Sequence, residues 1–305
     1  RCGRLYGNHL HVWILLLHIS LIGVIDVGGG LRGIYGAGVF DFCLDNNINF
    51  DYGIGVSAGS ANIASFLGKQ KGRNLKFYSE YIFRKEYMSF HNLFRNGSYI
   101  DLDYVYSGLS NSNCENPLNY DGIIKSNSIF KIVATNSLTG DTIYFDKSSL
   151  SKDDYDVFKA SCCIPIVCKP YTIDGINYFD GGLSDPLPIK KAINDGCDKI
   201  VLILTKPVGF DEPDKTDRIL AKLLNKTYPI ASQKLLNRHK KYNEGIEIAL
   251  KYQSQNKALI IAPADCCGVN TLTKKAENLL QLYNKGYKDS ESLLSFIKSD
   301  SQAIV

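Results

Sequence analysis

Residues 21–27 are branched and apolar, and residues 33–46 then carry apolar positions at helical spacing. A continuous apolar run reads as a strand buried on both faces, and the 3.6-residue period as a helix against it. Residues 50–56 and 58–67 repeat the unit, with Ser57 at the turn. Two β-rich runs, 129–136 and 142–145, are joined by five turn-forming residues and predict a hairpin. A second hairpin is predicted where 171–173 and 176–179 flank Asp174-Gly175, the favoured dipeptide of a two-residue type I′ turn. Further on, 186–195 reads as a short helix, 199–205 as a buried strand, 217–254 as helix interrupted near Pro229, 258–262 as a last strand and 274–298 as one amphipathic closing helix. This alternation predicts an α/β layer fold.

Residues 69–119 break the pattern. They are aromatic and polar with weak periodicity, and read as helices and long loops capping the sheet. Such aromatics pack a core, and a lid or acyl-chain wall has the same composition. No repeat or linker divides the 305 residues, so one domain over residues 21–305 is expected behind an apolar leader, residues 1–20. In that leader the apolar stretch at 10–20 is short of the ~20 residues that span a bilayer. It reads as the approach to the first strand, with a targeting or membrane-associating segment as the alternative.

Composition narrows the classes. Hydrophobic content of 45% and charge of 22% are globular values. The net charge of +4 is mild and the lysines are dispersed, which argues against a nucleic-acid partner. Nine cysteines with no C-x-x-C and no Cys/His metal spacing point to reduced thiols in a cytoplasmic protein and to no metal site.

Chemistry concentrates in three glycine-rich turns. Gly55-Val56-Ser57-Ala58-Gly59 matches G-x-S-x-G, where small neighbours (Gly55, Gly59) let a serine occupy a tight strand-to-helix turn at a helix amino-terminus. The turn Gly28-Gly29-Gly30-Leu31-Arg32-Gly33 has two readings. It satisfies the dinucleotide fingerprint G-x-G-x-x-G, with Asp51 at about the right distance, although Asp51 precedes a strand rather than ending one. It also suits an oxyanion hole in which the amides of Gly29, Gly30 and Leu31 converge on a tetrahedral intermediate. Arg32 would either brace this loop through a salt bridge or neutralise an anion. The third turn, Asp180-Gly181-Gly182, places a carboxylate at a strand end.

A serine nucleophile needs a proton acceptor, usually histidine. Of the five histidines, His9, His11 and His18 precede the scaffold, His91 falls in the aromatic cap and His239 lies in a charged helix. A direct Ser57/Asp180 dyad is therefore the simplest arrangement, with a His239-dependent hydrolase and a dinucleotide-binding protein as the alternatives.

With G-G-G-x-R-G, G-x-S-x-G and D-G-G in this order, the chain resembles the patatin-like phospholipases over roughly residues 21–262. The segments Ala160-Ser161-Cys162-Cys163-Ile164-Pro165 and Gly182-Leu183-Ser184-Asp185-Pro186 agree with it. The resemblance implies a three-layer α/β/α fold with a central, mostly parallel sheet. It implies Ser57 as nucleophile, Asp180 as base and residues 28–33 as the oxyanion loop. It also implies no cofactor, and lipid esters at a membrane or micelle surface as substrates.

Overall fold

The computed structural model describes residues 21–272 and 275–298. The leader and its three histidines lie outside the described residues. In chain order the elements are β1 (Leu21–Asp26), α1 (Ile34–Asp45), β2 (Tyr52–Val56), α2 (Ala58–Leu67), α3 (Arg73–Ser79), α4 (Phe90–Asn96), α5 (Tyr120–Lys125), β3 (Ile129–Asn136), β4 (Thr142–Asp146), α6 (Asp156–Ser161), β5 (Tyr171–Ile173), β6 (Ile176–Asp180), α7 (Ile189–Asn194), β7 (Cys197–Ile203), α8 (Lys215–Leu224), α9 (Pro229–Ser254), β8 (Ala258–Ile261), α10 (Ala276–Asp289) and α11 (Ser292–Lys298).

The described strands form one sheet in the order β5-β6-β3-β2-β1-β7-β8, with β4 also paired to β3. The β3-β2-β1-β7-β8 run is parallel, and β4, β5 and β6 add antiparallel pairs. Its two faces have separate cores. Val24, Val201 and Ile203 pack with Ile34, Phe40, Ile63 and Leu279 from α1, α2 and α10. Their neighbours Ile25, Ile200 and Leu202 pack on the other face with Ile189, Tyr242 and Ile246 from α7 and α9. Period-two alternation in fully buried strands thus produces three layers, helix on sheet on helix.

Both predicted hairpins form, and Asp174 and Gly175 take the positive φ values (49° and 77°) that a type I′ turn requires. Pro229 begins α9, where its missing N–H costs no hydrogen bond. The closing helix differs from expectation by splitting into α10 and α11. There the Ser290 and Ser292 hydroxyls donate back to the Gly286 and Asp289 carbonyls (2.7 and 3.2 Å), local bonds that compete with helix continuation. Among the described residues, no helix is long and apolar enough to cross a membrane.

Strand order positions the chemistry. From β1 the chain winds one way through β2 and β3 and returns to the other side with β7 and β8, opening a crevice at the carboxyl ends of the strands around β1. Residues 28–33 leave β1 at that end and Ser57 leaves β2 there. Register brings the third group: Val56 pairs with Val133, and the next β3 residue, Ala134, pairs with Asp180. The end of β6 therefore lies beside the start of the serine turn.

Candidate active site

Ser57 is a buried residue at the amino-terminus of α2, with φ 55° and ψ −130°. For a non-glycine residue this backbone is strained, and it persists because surrounding contacts fix it. The Ser57 amide donates to the Ser161 hydroxyl (3.0 Å), and its carbonyl accepts from the amide and hydroxyl of Ser60 (2.9 and 2.6 Å). Gly59 is required two residues on, because a Cβ there would collide with the Asp26 backbone.

Asp180 ends β6 and is also buried. Burial raises its pKa to about 6, although the neighbouring Ser57 side chain, the Gly182 amide and the positive charge of Arg238 each offset part of the rise. The Gly182 amide donates to Asp180 Oδ1 at 2.8 Å. On the other side, the Asp180 amide donates to the Cys163 carbonyl (2.8 Å) and the Thr135 hydroxyl to the Asp180 carbonyl (2.9 Å). The neighbouring Cys162 sulfur lies 3.1 Å from the Tyr106 hydroxyl, and burial pushes its thiol up to about 12.

The glycine turn adopts left-handed backbone at three consecutive residues, with φ of 63° at Gly28, 110° at Gly29 and 60° at Gly30. Only glycine takes such a run without steric cost. Its donors are not equivalent. The Gly28 amide donates to Asp26 Oδ1 (2.9 Å), and the Leu31 amide to the Thr271 carbonyl (3.0 Å). Leu31 thus departs from its expected place among the oxyanion donors, because the loop before α10 has taken its N–H. Gly29 and Gly30 keep amides without a hydrogen-bond partner among the described residues. Arg32 forms no ion pair among the described residues, and its Nε is buried without a hydrogen-bond partner among them.

Two residues that sequence reasoning passed over hold this loop. Asp26 is fully buried at the end of β1, and desolvation raises its pKa to about 6, against the Asn62 and Gly28 hydrogen bonds that lower it. Asn62 Nδ2 donates both to Asp26 Oδ2 (2.9 Å) and to the Gly33 carbonyl (2.8 Å), tying α2 to the turn. An acid at the last position of an apolar strand was their one visible signal.

The alternatives fare less well. Asp51 lies at the amino end of β2, whereas the glycine turn follows the carboxyl end of β1, which pairs with β2 in parallel. The two are separated by the length of a strand, so Asp51 cannot serve as the ribose-binding acid of a dinucleotide site. His91 is exposed on α4, and His239 is not among the residues around the serine pocket. The described cysteines are all free, and no group of three or more His, Cys, Asp or Glu suited to a metal occurs among the described residues.

A narrow cavity of about 80 Å³ opens at Ser57. Its wall is mostly apolar, from Leu31, Ala61, Phe77, Leu102 and Val105, with the Tyr78, Tyr87 and Tyr106 rings of the aromatic segment. Part of that segment therefore lines the pocket rather than merely capping the sheet.

All three turns fall within the segment matched by a known family. The family model for patatin-like phospholipases matches residues 27–193, more than half of the chain, and a second model, a domain of unknown function (DUF6363), matches residues 228–299. That second segment supplies β8 to the same sheet. The uncharacterized protein YjjU of Escherichia coli is 32% identical over 191 residues, covering 61% of this chain and 52% of its own length. An uncharacterized NTE family protein of Mycobacterium tuberculosis is 28% identical over 118 residues, covering 36% of this chain and 32% of its own. The chain thus matches about half or less of the length of these curated relatives. VipD from Legionella pneumophila aligns over 90% of this chain and 67% of its own, at 14% identity and a TM-score of 0.47.

Proposed function

The chain belongs to the patatin-like phospholipase family, and from that premise we propose that it is a lipid acyl hydrolase using Ser57 as nucleophile and Asp180 as base. Ser57 Oγ attacks the ester carbonyl while Asp180 takes its proton, and charge on the carbonyl oxygen is held by the free Gly29 and Gly30 amides and the amino-terminus of α2. Collapse breaks the ester C–O bond, and Asp180 returns the proton to the departing alcohol. Water, deprotonated by Asp180, then attacks the acyl-serine and releases the acid. A carboxylate with an ordinary pKa near 4 is a poor base for a hydroxyl, and the value of about 6 set by burial brings Asp180 closer to its task.

The observation that carries this reading is the Ser57 side chain beside a buried carboxylate and on the wall of an apolar pocket. Lipid interfaces fit the surface nearby. Phe90 and Phe94, one turn apart on α4, are 70% and 87% exposed, close in sequence to Met88, which lines the pocket. The test is release of fatty acid from phospholipid, galactolipid and aryl-ester panels. Hydrolysis lost in Ser57→Ala is expected, and a folded protein that cleaves none of these esters would contradict the proposal.

A further inference from the structure

The pocket that starts at Ser57 contains a charge that an ordinary fatty acyl chain has no use for. Arg73, on α3, lines it and is only 8% exposed. Its partners are neutral: Nη1 donates to the Ser65 hydroxyl (3.1 Å), and Nη2 to the Ser110 hydroxyl (2.9 Å) and the Asn116 carbonyl (3.1 Å). The Phe77 ring lies 4.7 Å from the guanidinium carbon. Nε is buried with no hydrogen-bond partner, and no carboxylate among the described residues pairs with this arginine. Of the five N–H donors of a guanidinium, Nε–H and one on Nη1 are left over.

Lys159 shows how this protein otherwise buries a cation. It is 4% exposed and pairs with both Asp103 (2.7 Å) and Asp156 (2.9 Å). Burying a charge without a counter-ion is costly, so an unpaired one calls for a reason. Burial pulls the Arg73 pKa down only to about 10, which leaves it cationic at neutral pH. Anchoring α3 to α2 explains the bonds to Ser65, Ser110 and Asn116. It explains neither the charge nor the orphaned Nε–H.

Ser65 lies eight residues along α2 from Ser57, about 12 Å at the α-helical rise. A hydrogen bond to the arginine covers about 3 Å of this and an extended chain advances about 1.2 Å per bond, so the remaining span of about 9 Å lets an acyl group held at Ser57 meet the arginine after roughly six to nine carbons.

Resting on the hydrolase reading above, we propose that Arg73 determines specificity by receiving the far end of the acyl chain, and that the preferred acyl groups are medium-length chains ending in a carboxylate. The apolar wall takes the methylenes, and the guanidinium that lines the pocket takes the terminal anion through a charge-assisted hydrogen bond.

The test compares two aryl esters of equal length, octanoate and its ω-carboxylated counterpart, the mono-ester of octanedioic acid. The wild-type protein is expected to favour the carboxylated ester in kcat/KM by about tenfold or more. Arg73→Met should reverse that preference and Arg73→Lys should restore part of it, with labelling of Ser57 by a fluorophosphonate reporting that each variant is folded. Should Arg73→Met fail to fold, a length series of ω-carboxylated esters on the wild type decides, with the optimum expected at roughly six to nine carbons. No preference for the carboxylated ester at any length, or a preference unchanged in Arg73→Met, overturns the inference while leaving the hydrolase reading intact. Absence of both ester activities and of a Ser57 adduct removes the hydrolase reading, and the inference with it.

Discussion

Two strands of this protein end in nearly the same device. β1 finishes at Asp26 and β6 at Asp180. Each carboxylate is buried, each has its pKa raised to about 6 chiefly by desolvation, and each accepts the amide of the glycine two residues on, Gly28 or Gly182. What separates them is the second partner. Asp26 meets the Asn62 side-chain amide, which cannot lose a proton in this pH range and is itself tied to Gly33. Asp180 meets a serine hydroxyl on a strained turn, with a cationic arginine near enough to be felt. Equal burial and equal pKa therefore do not make equal roles, and a perturbed carboxylate becomes a candidate base only through what it faces.

Substitution should break the symmetry most visibly. Asp180→Asn is expected to lower kcat/KM by at least about a thousandfold, the scale on which loss of one member of a nucleophile–base pair acts. Asp26→Asn keeps an oxygen for Gly28 and only loosens the loop, with an expected loss of about tenfold. Steady-state kinetics on a soluble aryl ester measure both. Comparable losses would show that the two acids are not functionally distinct.

The pH profile sharpens the contrast. Hydrolysis needs Asp180 ionised, so kcat/KM should fall about tenfold per unit below an apparent pKa near 6. Because Asp26 titrates in the same region, the informative protein is Asp26→Asn, which should keep this acid limb. Its disappearance there would reassign the titration to Asp26.

Stability should move the opposite way from activity. The unfolded carboxylate ionises near 4 and the folded one near 6, so the native state binds the extra proton in between and stability declines as pH rises through that window. At pH 7.5 Asp180→Asn should gain stability relative to wild type, by up to about 3 kcal/mol, and the gain should shrink toward pH 4, whereas Asp26→Asn should gain less because its new amide group faces the Asn62 Nδ2 donor. Thermal melts at the two pH values check this. A neutral variant equally stabilised at both would show that its gain owes nothing to proton binding.

The smallest effect concerns the surface beside the pocket. Phe90→Ser with Phe94→Ser should reduce hydrolysis of vesicle-borne lipid by about threefold to tenfold. A soluble ester measured in parallel should change much less, since neither ring lines the pocket.

Much of this was legible along the chain because it is local. Both hairpins, the serine turn and the triple-glycine turn are each specified by a few adjacent residues, and Asp180 was visible at a strand end. The features that escaped join distant segments. Arg73 is one charge in an aromatic stretch, and its setting depends on Ser65, Ser110 and Asn116 meeting in space. The Thr271 carbonyl reaches Leu31 only because the carboxy-terminal segment folds back onto the same layer. Asp26 falls within an apolar run, and nothing nearby in sequence announces Asn62 as its partner. The break between α10 and α11 escaped because helical periodicity records which face is buried, whereas serine hydroxyls acting on the backbone decide where the helix stops.

The central claim is that Ser57 is an activated nucleophile and that Asp180, not a histidine, activates it. Reaction of the folded protein with a fluorophosphonate, followed by mass spectrometric location of the adduct, addresses it directly. The account predicts a single adduct on Ser57 that forms at near wild-type rate in His239→Ala and is slowed by orders of magnitude in Asp180→Asn. No adduct on Ser57, or labelling that depends on His239 and not on Asp180, would contradict it.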